Sequence, residues 1–301
     1  MKARPSTMRE CTSCFSDRAV KIATSSSFGS GSTTKASSAS AANVSNIGAV
    51  TSFFKSSLTT GKFLVLKLTW SRSHSGPFFS VDVDESLISA DTWKRTHLLR
   101  TKSGTHTFLA SSSNITVHWD FTAAQYGPGP EPIDKFYLAV TADSEFALLL
   151  GDKSEEFEKK FTPKLKIAEF SMVRRREQVI GPALHSTTSA RFCDGGKYHE
   201  ITIKCKGTRR EEKDAELSVC IDKKIVVQVA KLDWNFRGNQ AVFIDGSPVD
   251  LMWDMHGWWF GAPAGHAFFL FRRRSTLESR LWLEEESTHG FSLLIEARRA
   301  S

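Results

Sequence analysis

The sequence predicts a mainly β protein, an antiparallel sandwich or barrel in which two tandem, pseudo-symmetric β units pack as one body. The large aromatic rings are mostly Phe and Trp, 22 and 8 against 3 Tyr, and such rings belong in the cores of sheets. From Phe63 onward, short apolar runs alternate with Gly, Asp and Pro, which is the pattern of consecutive strands and turns. One segment also recurs at a fixed offset, which predicts a repeated structural unit.

The first 50 residues are predicted to form a disordered, Ser-rich tail. They consist mainly of Ser, Thr, Ala and Gly between a few charges, and such a segment buries too little apolar surface to fold. Glu10 and Asp17 are its only acidic residues, so its composition overlaps with that of organelle transit peptides. A disordered tail is the favoured interpretation, and a chloroplast transit peptide is the alternative.

The remaining chain, 51–301, is predicted to be a β body. Large apolar side chains stand at every second position in 64–70, 115–119 and 249–253, which places each set on one buried face. Asp245-Gly246 lies between two apolar runs and is a strong signal for a hairpin turn. Further strand-like stretches fall at 165–173, 178–180, 267–271 and 290–295.

The repeat has a definite register. Asn114-Ile-Thr-Val-His-Trp-Asp-Phe121 aligns with Pro248-Val-Asp-Leu-Met-Trp-Asp-Met255 at an offset of 134 residues, the separation of Asp120 from Asp254. The same offset matches other pairs without a gap: Gly104 with Gly238, Gly127 with Gly261 and Leu98 with Leu232. With small shifts, 79–84 matches 217–222 and 136–138 matches 268–270.

These matches divide the body into four parts: repeat one (62–152), connector strands (153–195), repeat two (196–274) and C-terminal strands (275–301). Each repeat alone would be marginally stable and would expose strand edges. Packing the two repeats together removes both problems. The sequence therefore predicts one fused body.

Composition restricts the setting of the protein. Five scattered cysteines do not form a disulfide framework in a chain of 301 residues, and no apolar stretch is long enough for a membrane helix or a secretory signal. We expect a soluble intracellular protein, cytoplasmic or nuclear. The net charge of +7 permits an anionic partner, but 33 acidic residues interleave with the basic clusters, which favours a mixed solvated surface.

Several sequence blocks resemble one known family. The blocks are Cys11-Thr-Ser-Cys-Phe15, Lys197-Tyr-His-Glu-Ile-Thr-Ile203, Leu232-Asp-Trp-Asn-Phe-Arg-Gly-Asn-Gln240, Val249-Asp-Leu-Met-Trp-Asp-Met255 and Gly290-Phe-Ser-Leu-Leu-Ile295. Together they resemble the plant domain-of-unknown-function family 868 over nearly the whole chain. The resemblance implies a plant protein and no particular chemistry.

Asp120 and Asp254 stand at equivalent strand ends in the two repeats. Two carboxylates brought together across a pseudo-twofold axis would suit acid–base catalysis or a metal. The structural alternative, which is favoured, is that each aspartate accepts a hydrogen bond from the backbone of the following turn.

An aromatic cluster of Trp258, Trp259 and Phe260 precedes Gly261-Ala-Pro-Ala-Gly265. Aromatic area beside a flexible loop suits a ligand pocket or a protein-binding hot spot. Core packing is the alternative for each ring taken singly.

Two arginine triplets are the best candidates for anion contact. In extended chain, Arg174 and Arg176 share one face, as do Arg272 and Arg274, so each pair could bind phosphates of a nucleic acid or an anionic lipid. The favoured alternative is that these charges protect edge strands from aggregation.

Other chemical signatures are weak. Cys11 and Cys14 have the spacing of half a zinc site but lack a second pair, the histidines show no metal spacing, and alternation points Cys205 and Cys220 to opposite faces. No cofactor, metal or catalytic residue is assigned. We expect a non-enzymatic binding or protein-interaction module with an unidentified partner, another protein being one candidate. The alternatives are an enzyme using Asp120 and Asp254, and anion binding through the triplets, with nucleic acid and anionic lipid less favoured.

Overall fold

A computed structural model gives the structure of the chain. It describes residues 20–21, 46–73, 76–85, 96–110, 112–162, 164–193, 195–207, 215–261, 265–274 and 290–300. Most of the predicted tail, including Cys11 and Cys14, lies outside these residues. Neither helix in the described part of the chain is long and apolar enough to cross a membrane.

The described residues form 21 strands and two short helices. The strands of the first half are β1 Val20–Lys21, β2 Asn46–Ser57, β3 Phe63–Ser73, β4 Gly76–Asp84, β5 His97–Leu99, β6 Ser103–Ala110, β7 Ser113–Asp120, β8 Gln125–Tyr126, β9 Pro132–Asp134, β10 Tyr137–Ala142, β11 Glu145–Leu150 and β12 Lys166–Ile167. The strands of the second half are β13 Glu169–Gly181, β14 His185–Ala190, β15 His199–Lys206, β16 Glu216–Ile221, β17 Lys224–Ala230, β18 Arg237–Ile244, β19 Ser247–Asp254, β20 His266–Arg273 and β21 Ser292–Arg299. The helices are α1 Ser154–Lys160 and α2 His256–Phe260.

Three sheets build two sandwiches. The large sheet has nine strands in the order β18-β19-β20-β21-β13-β2-β3-β4-β5. The first small sheet, β12-β11-β10-β7-β6, packs on β2 to β5, and the second small sheet, β1-β17-β16-β15-β14, packs on β18 to β21. A two-stranded β8-β9 ribbon completes the set. The fold is therefore mainly β and sandwich-like, as predicted, and none of the sheets closes into a barrel.

Strand β13 connects the two sandwiches. It pairs antiparallel with β2 and parallel with β21, so the sheet of the first sandwich continues into that of the second. Both small sheets cover the same face of the large sheet, which we call the inner face. Arg175 of β13 pairs with Leu293 of the second core on one side and with Ser52 of β2 on the other, and paired residues project to the same face. Ser52 in turn shares its face of β2 with Phe54 of the first core. The two sandwiches thus share one continuous sheet.

The matched segments of the two repeats form hairpins with equal register. β6 pairs with β7 from Ser103–Asp120 onward, and β18 pairs with β19 from Arg237–Asp254 onward, 134 residues later at both ends. Beyond the hairpins the correspondence shifts, since Asp120 pairs with Tyr137 while Asp254 pairs with Phe268. Tyr137, and not Phe136, is therefore the structural counterpart of Phe268.

Several boundaries differ from those predicted. β2 begins at Asn46, inside the predicted tail, and Val20–Lys21 pairs with β17 as a short strand. The first sandwich thus includes β2, ahead of residue 62, and the second includes β14 and β21. The two stretches 165–173 and 178–180 merge largely into the single strand β13, because the arginines between them continue the ladder with β2 and β21.

Candidate functional site

β13 places two charged side chains at the boundary between the cores. Arg175 and Glu177 project from the inner face, where Glu177 is 0% exposed. Arg175 Nη1 and Nη2 donate to the carboxylate of Glu131 at 2.9 and 2.6 Å, and Arg175 Nε donates to Glu177 Oε1 at 2.7 Å. The Thr188 hydroxyl donates to the same Glu177 oxygen at 2.6 Å. Glu131 directly precedes β9 and Thr188 lies in β14 of the second small sheet, so this network joins segments from the two halves of the chain.

The network stabilises the positive charge of Arg175. Burial alone lowers the pKa of the Arg175 guanidinium, but the charges and hydrogen bonds of Glu131 and Glu177 outweigh burial and raise it. Glu177 Oε2 is buried and has no hydrogen-bond partner among the residues that the structure describes. Removing Arg175 would therefore leave a buried carboxylate without its cation, which proteins tolerate poorly.

A cavity of about 320 Å³ lies beside this network, and we name it the seam pocket. It opens where β21 begins: β13 pairs with β21 only from Arg174 onward, so within the described chain residues 169–173 pair with β2 alone. Val173 forms a β-bulge at this point. The lining comes from β2, the first half of β13, the end of β14 with its following loop, residue 273 and residues 290–291.

The seam pocket is rich in positive charge. Lys55, Arg191 and Arg273 line it together with one carboxylate, Glu169, and with Arg175, whose charge its two glutamates compensate. The first three cations make no ion pair with another described residue. Lys55 Nζ lies 4.6 Å from an aromatic ring, and the Arg191 guanidinium lies 5.6 Å from the ring of Tyr198. The lining cations therefore exceed the lining carboxylate.

One wall of the seam pocket is apolar. Phe192 is fully buried and meets the ring of Phe291 edge to face, with 5.6 Å between ring centroids. Met172 contributes a flexible thioether, and Tyr198 stands exposed in the lining. Chemically, the site can hold a molecule with an anionic group on one side and a flat or apolar body on the other.

The four arginines predicted to contact anions lie elsewhere. Register places Arg174, Arg176 and Arg272 on the outer face of the large sheet, with Ser292 of β21 between Arg272 and Arg174 in one row. Arg176 donates to Glu296 at 2.7 Å, and Arg274 donates to Asp250 at 2.5 Å. The structure brings these arginines to one face but gives two of them carboxylate partners.

The middle arginine of each triplet lines the seam pocket. Arg175 and Arg273 project to the inner face, opposite to their neighbours. The edge-strand interpretation of the triplets is wrong, because β13 and β20 are both flanked by strands on either side. Alternation separates the middle arginine of each triplet from its two neighbours, but it does not show which of the two faces is buried.

The aromatic cluster belongs mainly to the second core. Trp258 is 1% and Trp259 is 9% exposed, while Phe260 is 37% exposed and packs against Phe236. Arg299 lies over the Trp258 ring at 4.7 Å. The indole N–H groups of both tryptophans are buried without a partner in the described chain. The glycine-rich loop after the cluster lies in part outside the described residues.

Asp120 and Asp254 each accept a hydrogen bond from the backbone of the turn that follows their own strand. Asp120 Oδ1 accepts the backbone N–H of Thr122 at 2.8 Å, and Asp254 Oδ1 accepts that of His256 at 2.9 Å. The backbone hydrogen bond from Thr122 lowers the pKa of Asp120. The two aspartates lie in different sheets, Asp120 in the first small sheet and Asp254 in the large one. Their geometry is that of repeated structural turns.

The cysteines and potential metal ligands of the described residues indicate no further site. Cys193 and Cys220 carry free thiols, and the pairing of Cys205 with Leu217 agrees with the predicted opposite orientation of Cys220. Within the described ranges, no three His, Cys, Asp or Glu side chains are grouped as metal ligands.

Residues 45–299 match a family described as a plant protein of unknown function, DUF868. The chain belongs to this family. The match confirms the resemblance carried by the sequence blocks, and it covers both sandwiches and β13, so the seam pocket lies within the DUF868 region. No curated protein and no solved structure matches the chain.

Proposed function

We propose that this DUF868 protein is a non-enzymatic binding protein that holds a small anionic molecule with an apolar body in the seam pocket. One observation carries the proposal: Lys55, Arg191 and Arg273 line a single cavity, and among the described residues Glu169 is the one acid in its lining. Clefts lined by one sign of charge focus the field and concentrate ligands of the opposite sign.

The size of the seam pocket favours a small molecule over a macromolecule. Its volume of about 320 Å³ is at the lower end of the range of roughly 300–1,000 Å³ for ligand pockets. A nucleic-acid duplex or a folded domain would contact the cavity only at its rim. We therefore retain the prediction of an anionic partner. The proposed ligand is a small molecule, and the proposed arginines are Arg191 and Arg273 instead of the outer arginines of the two triplets.

The pocket also provides directional groups. Guanidinium groups bind carboxylates and phosphates through paired N–H donors, whereas a lysine acts as a point charge. Arg191, Arg273 and Lys55 approach from a loop, from β20 and from β2 respectively. Phe192 and Phe291 would contact the apolar part of the ligand. These groups suit the binding of an anion that also has an apolar part.

Calorimetric titration with phenyl phosphate, inorganic phosphate and phenol tests this proposal. Phenyl phosphate carries both chemical features and should bind best, inorganic phosphate should bind more weakly, and phenol should bind least. Added salt should weaken binding of both phosphates, because the attraction is electrostatic. Equal affinity for phenol and phenyl phosphate, or no binding of either phosphate at low ionic strength, would overturn the proposal.

The compartment belongs to the same proposal. We place the protein in the cytoplasm or nucleus, on the composition of the chain and its few scattered cysteines. The chloroplast is the alternative, supported by the Ser-rich, acid-poor composition of the first 50 residues.

A further inference from the structure

His199, the first residue of β15, bridges two carboxylates. Its side chain is almost buried, at 8% exposure, with Nδ1 2.7 Å from Asp222 Oδ2 and Nε2 3.0 Å from Asp245 Oδ2. A neutral imidazole has only one N–H, whereas the imidazolium has two. Donation to both carboxylates therefore requires the protonated ring.

The two carboxylates come from turns of different sheets. Asp222 lies in the turn between β16 and β17 of the second small sheet, and Asp245 lies in the turn between β18 and β19 of the large sheet. Both residues have φ of +48°, so the tight turn fixes the backbone position from which each side chain projects. His199 thus ties the two sheets of the second sandwich together.

The same turn of the large sheet supports a wall of the seam pocket. This wall is formed by residues 191–193 and 195–198, which contribute Arg191 and Tyr198 to the pocket and lie directly before His199. The backbone N–H of Lys197 donates to Asp245 Oδ2 at 3.4 Å, and Cys193 Sγ lies 3.5 Å from the Ser247 hydroxyl. Movement of the turn would therefore move the wall.

We propose that protonated His199 is a latch that holds this wall in place, so that the seam pocket loses affinity for anions as the pH rises. This inference rests on the proposed function and concerns its regulation. The charged groups around the latch are carboxylates of the two turns and of β15, and cations of the wall, of the β16–β17 turn and of β17: Asp222, Asp245, Glu200, Lys197, Lys223 and Lys224.

The direction of the pH effect follows from the pKa shifts. Burial alone lowers the pKa of His199, but hydrogen bonds to Asp245 and Asp222 outweigh burial and raise it. The hydrogen bond to His199 lowers the pKa of Asp222 and of Asp245. The latch is therefore complete from the lowered carboxylate pKa values up to the raised pKa of His199. Above that value the latch is lost.

The latch can be tested without any ligand. NMR should follow the His199 ring through its titration, and hydrogen exchange should give protection factors for the amides of 191–198 across the same pH range. Protection at Lys197 should fall as His199 deprotonates. In His199→Gln, and in Asp245→Asn as a second variant, protection should be low at every pH. Wild-type protection that stays constant while His199 titrates would overturn the latch.

Phenyl phosphate affinity measured from about pH 6 to about pH 9 tests the link to the pocket. Wild-type affinity should fall by roughly 5- to 150-fold, the usual range of coupling between sites. His199→Gln should bind weakly without this dependence, and exposed His266→Gln should behave as the wild type. A wild-type affinity that is independent of pH would overturn the regulation. Absence of phosphate binding at every pH would instead overturn the proposed function, and hydrogen exchange would still decide the latch.

Discussion

Trp119 and Trp253 occupy matching positions in the two hairpins, and each leans against a glycine on the neighbouring strand. Trp119 lies opposite Gly104 and donates its indole N–H to a backbone carbonyl at 3.0 Å. Trp253 lies opposite Gly238 and donates in the same way at 3.1 Å. Close approach of a ring to the backbone requires a residue without Cβ. This physical demand explains why the sequence alone could predict the register of the repeat.

The two glycines should differ in their tolerance of a methyl group. A Cβ at Gly238 would overlap the buried ring of Trp253, whereas a Cβ at Gly104 would lie 3.0 Å from the Trp119 ring. Overpacking of a core costs about 1–3 kcal/mol, and Gly238→Ala should lower the free energy of unfolding by that amount. Gly104→Ala should cost less, as measured by urea unfolding. A larger loss for Gly104→Ala would contradict this account of the hairpins.

The arginine triplets show that the sequence could not predict which face of a strand is buried. Alternation correctly placed Arg174 with Arg176 on one face, but a strand inside a covered sheet has two non-equivalent faces, and alternation cannot say which one is buried. Only the position of β13 between β2 and β21 decides that Arg175 faces inward. The site residues also come from segments far apart in sequence, so no local motif marks them.

At the scale of elements, β13 depends on its buried ion pair. Arg175→Met would leave Glu177 buried without a cation, and breaking such a pair costs about 3–5 kcal/mol. Replacing both residues, as in Arg175→Met with Glu177→Leu, should recover much of this loss, because apolar replacement of a whole buried pair is often neutral. Denaturant unfolding followed by circular dichroism measures both. A double variant as unstable as the single one would show that the network has another role.

The element boundaries that the sequence missed share one cause. β2 begins at Asn46 within a polar, small-residue context that is typical of a tail, and it is a strand because it pairs with β3 and β13. Tertiary pairing overrides weak local preference at such positions. In contrast, the Asp245-Gly246 turn was predictable, since both residues adopt the positive φ that this dipeptide favours.

At the scale of the molecule, the shared sheet predicts cooperative unfolding. Leu66 lies in the first core and Leu251 in the second, and both side chains are fully buried. Replacement of either by Ala should cost about 2–5 kcal/mol. Because β13 joins the two sheets, each variant should shift one common transition, seen alike by tryptophan fluorescence and circular dichroism. A separate early transition in Leu66→Ala would contradict coupling of the sandwiches.

The sequence predicted two fused units but not the means of fusion. The large sheet is completed by pairing of β13 with both β2 and β21, strands separated by more than two hundred residues. Pairing between such distant segments has no local signature. The seam pocket arises at that junction, where β21 begins later than β13, and it could not be anticipated from composition or spacing.

The central claim, anion binding in the seam pocket, is tested most directly by neighbouring arginines on opposite faces of β20. Arg273 lines the pocket and Arg272 lies exposed on the outer face, so Arg273→Gln and Arg272→Gln remove the same charge one residue apart. Losing a charged hydrogen bond costs about 1.5–3 kcal/mol, or roughly 10- to 150-fold in affinity. We predict that Arg273→Gln loses this much affinity for phenyl phosphate and that Arg272→Gln keeps a near wild-type affinity. Equal affinities for both variants would contradict the account.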